Sequence, residues 1–108
     1  MSKYHNRKSG GFDSLKEKKR YYELKLLERA GKIQGLECQV RFELIPAQYR
    51  DGKCVERRCD YIADFCYWED GKFVVEDVKG YKDGAAYSTY TIKRKLMLWR
   101  HHIKIKET

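Results

Sequence analysis

An Asp-Gly dipeptide at positions 70 and 71 is the feature that most constrains how this chain folds. When apolar and aromatic residues flank it, Asp-Gly is a strong signal for a two-residue β-hairpin turn. We therefore predict a hairpin over residues 58–79, in which Glu69 faces Lys72 and paired residue numbers sum to 141. This register sets one aspartate of the first strand directly opposite one of the second.

The opposed aspartates are Asp64 and Asp77, and their Cβ atoms are expected about 4.5–5.5 Å apart. Lys79 follows on the same face, because side chains alternate along a strand. Like charges placed opposite each other destabilise a sheet, so the sequence predicts a divalent cation between the two carboxylates. The alternative is an ordinary salt bridge from Lys79 to Asp77. A longer turn or a bulge would shift the register and separate the two aspartates.

The chain is strongly basic, and the excess charge is unevenly distributed. Its 108 residues include 24 lysines and arginines against 16 acidic residues, a net charge of +8. Residues 1–35 hold ten basic and four acidic side chains. This balance is typical of a nucleic-acid-binding protein. We expect a flexible basic arm over residues 1–13 and a single domain over residues 14–108.

No segment has the character of a signal peptide or a membrane span. Residues 1–11 have no apolar core, and the longest apolar run, residues 96–99, is too short to cross a bilayer. The four cysteines lack paired C-x-x-C spacing, and Cys59 and Cys66 are expected on opposite faces of their strand. We therefore expect buried reduced thiols rather than a zinc site, a cytoplasmic location and no membrane partner.

Two helices and four strands are predicted in the order αβββαβ. The segments are a helix at about 14–30, a strand at 36–44, the hairpin, a helix from about 88 to 100 and a short strand near 103–105. A polar loop is expected between residues 47 and 56. The last β-α-β passage predicts a parallel crossover and hence a small mixed sheet.

Apolar residues on both faces of the hairpin predict helical layers on both sides of the sheet, an α/β sandwich. One face is expected to carry Tyr61, Ala63, Phe65 and Tyr67. The second helix is expected to bury Ile92, Leu96 and Trp99. In the final strand, Ile103 and Ile105 are expected to point inward.

Within this element order, the chain resembles the PD-(D/E)XK nuclease superfamily, which includes restriction enzymes and archaeal Holliday-junction resolvases. From about residue 12 to 107 it is similar to a family of small uncharacterised phage proteins assigned to that superfamily. The segments that carry the resemblance are Phe12-Asp13-Ser14 with Glu17, the Ala-Gly-Lys-Ile run at 30–33, Ala63-Asp64-Phe65, Glu76-Asp77-Val78-Lys79-Gly80 and Ile92-Lys93-Arg94-Lys95-Leu96. Ala63 departs from the pattern, because it stands where the motif has proline.

The resemblance implies a restriction-endonuclease-like αβββαβ core whose small mixed sheet is flanked by helices. It assigns Asp64 and Asp77 as ligands of Mg²⁺ or Mn²⁺, with the carbonyl of Val78 as a further ligand and Lys79 as the catalytic lysine. Glu17 matches a first-helix glutamate that some members add to the site. It fits equally well as the capping-box partner of Ser14.

These observations together predict a Mg²⁺-dependent DNA endonuclease. By analogy with the superfamily we expect structure-selective cutting of branched DNA such as a Holliday junction, by a possible homodimer. The cations expected to hold the DNA backbone are Lys8, Lys16, Lys93, Lys95 and Arg100. The alternative is a non-catalytic basic DNA-binding module on the same fold, and a third reading is a structural protein whose acids are all salt-bridged.

Overall fold

The computed structural model describes residues 14–80 and 84–108. They form α1 (Leu15–Arg29), β1 (Gln34–Ile45), β2 (Gln48–Arg50), β3 (Lys53–Glu56), β4 (Cys59–Glu69), β5 (Lys72–Asp77), α2 (Gly84–His101) and β6 (Lys106–Glu107). Strands β1, β4, β5 and β6 form a mixed sheet in that order, and β2 pairs with β3 in a separate small sheet. The predicted basic arm, with Lys8, lies outside the described residues.

Both ends of α1 have the capping chemistry that the sequence predicts. Ser14 is the N-cap, and its Oγ accepts a hydrogen bond of 3.1 Å from the Glu17 N–H. At the other end, the Lys32 N–H donates to the Leu27 carbonyl at 2.9 Å, and Gly31 has a φ of 78°. This is the Schellman arrangement, in which a left-handed glycine ends the helix.

The Asp-Gly hairpin and its register are confirmed. Asp70 and Gly71 both have positive φ angles, 52° and 76°, as a type I′ turn requires. Glu69 pairs with Lys72, and the pairing runs without a shift to Phe65 opposite Glu76.

The mixed sheet has the predicted arrangement of strands. β1 and β5 pair antiparallel with β4, whereas β6 pairs parallel with β5. Apart from the small β2–β3 sheet, the elements follow the predicted order αβββαβ. They are α1, β1, β4, β5, α2 and β6. The fold is therefore a mixed α/β arrangement of two helices and a four-stranded sheet, with a small second sheet.

The predicted polar loop between residues 47 and 56 is wrong, because β2 and β3 form a hairpin there. Its turn is a second Asp-Gly dipeptide, Asp51-Gly52, whose φ angles of 52° and 79° again match a type I′ turn. Every residue of both strands is exposed. The turn residues and the strand pairing therefore stabilise this hairpin, and burial of its side chains does not.

Two apolar clusters hold the layers together. The α1 cluster comprises Leu24, Ile33, Phe65 and Tyr67. The α2 cluster comprises Leu44, Tyr61, Ala63, Cys66, Val75, Tyr90, Met97 and Ile105. Val74 packs against the α1 cluster and its neighbour Val75 belongs to the α2 cluster. Because successive strand residues point to opposite faces, the two helices cover opposite faces of the sheet, as predicted.

The regular alternation predicted for β4 is wrong at one point. Tyr61 and Ala63 pack in the α2 cluster, whereas Phe65 and Tyr67 pack in the α1 cluster. The change of face occurs across Asp64, which lies between the pairs of Ala63 with Val40 and of Phe65 with Cys38.

Gln39, the β1 residue between those pairs, has a φ of 56°, so the backbone of β1 is irregular at the same level as Asp64. The change of face also explains why Cys59 and Cys66 contact the same cluster instead of opposite faces. Of the four cysteines, which are all free thiols, only Cys66 is buried. The prediction of buried thiols is therefore wrong for the other three.

Helix α2 starts earlier than predicted and buries a different face. Ile92 and Trp99 are 61% and 75% exposed, so the prediction that they are buried is wrong. The buried residues of α2 are Tyr90 and Met97, while Leu96 packs at the edge of the α2 cluster. Neither described helix is both long and apolar enough to cross a membrane.

The last segment enters the core as expected. Ile105 is buried and Ile103 packs against the α2 cluster, as predicted. The strand itself, β6, begins one residue beyond Ile105 and is only two residues long.

Candidate active site

The hairpin brings Asp64 of β4 beside the end of β5. The last pair of the β4–β5 ladder is Phe65 with Glu76, and Asp64 and Asp77 are the next residue on each strand. The Asp64 carboxylate accepts a hydrogen bond of 2.8 Å from the backbone N–H of Val78. The two aspartates are therefore held at the same level of adjacent strands.

Asp77 lies in a buried polar environment built by β4, β5 and the segment after β5. Tyr61 donates a hydrogen bond of 2.8 Å from its hydroxyl to Asp77 Oδ1, and Lys79 forms an ion pair with Asp77 Oδ2. The Lys79 ammonium also lies 3.1 Å from the centroid of the Tyr90 ring. Both side chains of the ion pair are mostly buried, 14% exposed for Lys79 and 8% for Asp77.

The ion pair of Lys79 with Asp77 is the arrangement that the sequence offers as the alternative to a cation site. It compensates the charge of Asp77 but only partly offsets that of Asp64. Burial and then the nearby charge of Asp77 raise the pKa of Asp64 to about 7. The hydrogen bond from Val78 opposes this shift without cancelling it. The Asp64 carboxylate is thus electrostatically unfavourable at neutral pH and would gain from a second positive charge.

Glu17 of α1 lies at the border of this group. It is only 4% exposed, and Gln39 donates to Glu17 Oε2 at 3.3 Å. Its charge contributes to the raised pKa of Asp64, so the two carboxylates influence each other. The Glu17 N–H bonds Ser14, which confirms half of the predicted capping box. Whether Glu17 also serves as a metal ligand stays a prediction.

The donor set suits a hard cation held by few protein ligands. In the described part of the chain, no three or more His, Cys, Asp or Glu side chains are arranged to hold a metal ion together. Mg²⁺ is often held by only one or two carboxylates, with waters and substrate phosphates completing its octahedron. Asp64, Asp77 and the Val78 carbonyl therefore fit such an ion in donor chemistry, but not one that needs a full protein cage.

Glu76 points away from this site, as predicted, and anchors β5 to α1. Its fully buried carboxylate accepts bonds of 2.6 and 3.0 Å from Nε and Nη2, on one edge of the Arg20 guanidinium. Tyr67 and Thr108 donate to the same carboxylate at 2.7 and 3.0 Å. Burial opposes ionisation of Glu76, but these bonds and the Arg20 charge outweigh it and lower its pKa.

This network has a geometric consequence for the site. Successive residues of β5 point to opposite faces. Fixing Glu76 under α1 therefore directs Asp77 toward Tyr61 and α2.

The predicted DNA contacts that lie among the described residues are divided between α1 and α2. Lys16 contacts the segment that carries the site, because its Nζ donates to the Lys79 carbonyl at 2.6 Å. Lys95 is exposed and Lys93 half-buried on α2. Arg100 is bound to Glu43 at 2.9 Å and to the Leu44 carbonyl at 3.2 Å. Its charge is therefore already engaged in attaching α2 to β1.

Two tyrosines that the sequence does not assign to the site contact it. Tyr61 is three residues before Asp64, and regular alternation would place it on the opposite face from that residue. Tyr90 binds Glu107 at 2.8 Å through its hydroxyl while its ring lies against Lys79. No local pattern identifies either residue, because both contacts depend on how distant elements pack.

Comparison with known proteins gives one match. A family model described as "Protein of unknown function (DUF1064)" matches residues 1–108. No curated protein and no solved structure matches the chain.

Proposed function

We propose that this chain, which belongs to the DUF1064 family of proteins of unknown function, is a metal-dependent DNA endonuclease. The observation that carries the proposal is the placement of Asp64 and Asp77 at one level of adjacent strands, with Lys79 beside Asp77. A buried carboxylate, a half-buried carboxylate and an ammonium at the open end of the β4–β5 hairpin are the parts that metal-assisted phosphodiester hydrolysis needs.

The electrostatics of the site favour a cation-binding function over a purely structural one. If the acids had only a structural role, each would be expected to have a cationic partner, as Asp60 has in Arg41 and Arg58. Asp64 instead has a raised pKa beside Asp77. Perturbed acids clustered beside a cation are typical of functional sites.

In the proposed reaction, Asp64, Asp77 and the Val78 carbonyl would hold the metal ion. A bound Mg²⁺ or Mn²⁺ polarises a phosphate and lowers the pKa of a water molecule. The Lys79 ammonium stabilises negative charge on the phosphate oxygens as water attacks phosphorus and the bond to the leaving oxygen breaks. Tyr61 and Tyr90 orient Asp77 and Lys79, respectively, through the contacts described above.

The finer fold assignment and the substrate belong to the same proposal. The order αβββαβ and the position of the acids at the end of the hairpin support a restriction-endonuclease-like core. Branched DNA, including four-way junctions, is the proposed substrate, and a homodimer would present two sites to it. The exposed Ile92 and Trp99, seven residues apart on α2, offer an apolar surface for such a dimer.

The proposal is tested with labelled linear, forked and four-way DNA in the presence of Mg²⁺, Mn²⁺ or a chelator. We expect metal-dependent cleavage that is strongest on the four-way junction and absent in Asp77→Asn and Lys79→Ala. Asp60→Asn is the matched control, because Asp60 lies on β4 of the same hairpin but is paired with Arg41 and Arg58 instead of Lys79.

Other outcomes would favour a different function. Tight DNA binding without cleavage in any divalent ion would support a non-catalytic DNA-binding module. Absence of both DNA binding and metal binding would support a structural protein. Cleavage at the same rate by the wild type and by Asp77→Asn would show that the activity does not arise from the Asp64–Asp77 site.

A further inference from the structure

A basic groove lies between α1 and the end of the sheet, beside the proposed catalytic group. It encloses about 470 Å³ between α1, β6 and the segment after β5. Its lining residues are Lys16, Lys19, Arg20, Glu23, Val78, Lys106 and Thr108. We refer to this set as the basic groove.

The α1 residues of the basic groove form one line along the helix. Lys16, Arg20 and Glu23 are spaced by four and three residues, which places them on one side of an α-helix. Lys106 faces them from β6, which pairs beside β5. The groove is thus walled by cations from two elements that are far apart in sequence.

The charges of the basic groove are not equally available to a ligand. Arg20 is neutralised by the buried Glu76 and by Glu23. Lys19 and Lys106 are exposed and form no ion pair within the part of the chain that the structure describes. Even when the buried Glu76 is counted with Glu23, the four cations of the groove leave a net charge of +2. This charge suits an anion with repeated charges rather than an apolar ligand.

The basic groove also adjoins the proposed reaction centre. Val78 lines it, and the Val78 N–H is the group that binds Asp64. Lys16 reaches from the groove to the carbonyl of Lys79 at 2.6 Å. A polyanion lying in the groove would consequently pass directly beside the segment that carries Asp77 and Lys79.

We propose that the basic groove binds the phosphate backbone of the DNA strand that leads to the Asp64–Asp77 site, with Lys19 and Lys106 as the principal phosphate contacts. The proposal rests on the proposed nuclease function and adds the path of the substrate. Contacts of this kind position a strand without reading its sequence. They release counterions, so they appear in the salt dependence of binding.

The test measures binding to a fluorescein-labelled linear duplex by anisotropy, with a chelator present so that no cleavage occurs. The double variant Lys19→Ala/Lys106→Ala is compared with Lys32→Ala/Lys72→Ala, which removes the same charge. Lys32 follows α1 and Lys72 begins β5, both remote from the groove. We expect only the groove variant to change the salt dependence of binding. Between about 50 and 200 mM salt, the slope of the logarithm of the association constant against the logarithm of salt concentration should become about 2 less steep.

Three results would overturn the proposal. They are an unchanged slope in the groove variant, an equal loss of slope in the two double variants, and no DNA binding by the wild type. Cleavage of the same duplex in Mg²⁺ is measured separately. A groove-specific loss of slope in a protein that never cuts DNA would uphold the groove and reject the nuclease.

Discussion

The carboxylate of Asp64 accepts a 2.8 Å hydrogen bond from the backbone N–H of Val78, the residue between Asp77 and Lys79. This bond ties the acid of β4 to the segment that carries the other two groups. It holds Asp64 close to Asp77 although the two charges repel each other. The resulting strain is relieved either by a proton on Asp64 or by a cation between the two carboxylates.

Removing the Asp64 charge is expected to stabilise the metal-free protein. An asparagine at position 64 retains an oxygen for the Val78 N–H but does not repel Asp77. We expect Asp64→Asn to raise the free energy of unfolding above pH 7 by about 1–3 kcal/mol, measured by urea denaturation with a chelator.

Asp60→Asn is the control for this change. It should lower stability slightly, because Asp60 is bound by Arg58 and Arg41, which lower its pKa. A marked loss of stability in Asp64→Asn would instead identify Asp64 as a structural acid.

The gain in Asp64→Asn should depend on pH in a defined direction. The pKa of Asp64 is about 7 in the fold, against an ordinary value of 3.8. The proton that Asp64 retains in the folded state therefore stabilises the wild type fully below about pH 4, and this contribution disappears as the pH rises through 7.

The difference between variant and wild type should consequently grow from pH 4 to pH 7 and then level off. Denaturation curves at several pH values measure it. A difference that is constant with pH would mean that Asp64 does not titrate in this range.

The pairing of Arg20 with Glu76 is expected to be the most costly polar contact to break. Arg20→Met leaves a fully buried carboxylate without its guanidinium, and such losses cost about 3–5 kcal/mol. Since Arg20 is partly exposed, we expect about 2–4 kcal/mol in urea denaturation. Glu23→Gln, which removes only the exposed partner of the same arginine, should change stability by less than about 1 kcal/mol. Equal effects of the two substitutions would contradict this assignment.

Tyr90 is expected to position Lys79 through its ring rather than its hydroxyl. Tyr90→Leu removes the ring beneath the ammonium and should slow cleavage roughly fivefold, with little change in the affinity for DNA. Tyr90→Phe retains the ring and loses only the bond to Glu107, so its cleavage rate should stay near that of the wild type. Single-turnover rates separate the two variants. A similar loss in both would assign the effect to the hydroxyl.

The sequence predicts those parts of the fold whose causes are local. The register of β4 and β5 follows from Asp70-Gly71, because two consecutive positive φ angles leave few alternatives for the turn. The ends of α1 follow from the Ser14 hydroxyl, which caps the first turn, and from Gly31, whose positive φ ends the helix. Asp51-Gly52 is an equally strong turn signal, but the polar residues on either side of it led to the prediction of a loop instead of a hairpin.

The parts that sequence reasoning missed depend on distant contacts. The change of face at Asp64 coincides with the left-handed conformation of Gln39 on the neighbouring strand, which no local pattern indicates. This change lets Tyr61 reach Asp77. In α2, the prediction of burial is wrong for Ile92 and Trp99 but not for Leu96, which packs against the core. The inward face is set by Tyr90, which contacts Lys79 and Glu107. Helical periodicity alone does not reveal such a preference.

The nuclease proposal depends on a divalent cation held by Asp64 and Asp77 together, and titration of the intact protein with Mn²⁺ measures this directly. Free Mn²⁺ is followed by electron paramagnetic resonance in wild type, Asp64→Asn, Asp77→Asn and the control Asp60→Asn. We predict saturable binding in wild type and Asp60→Asn, weakened at least about tenfold by either of the other two substitutions. Binding that is absent from the wild type, or equally strong in all four proteins, would contradict the proposed site.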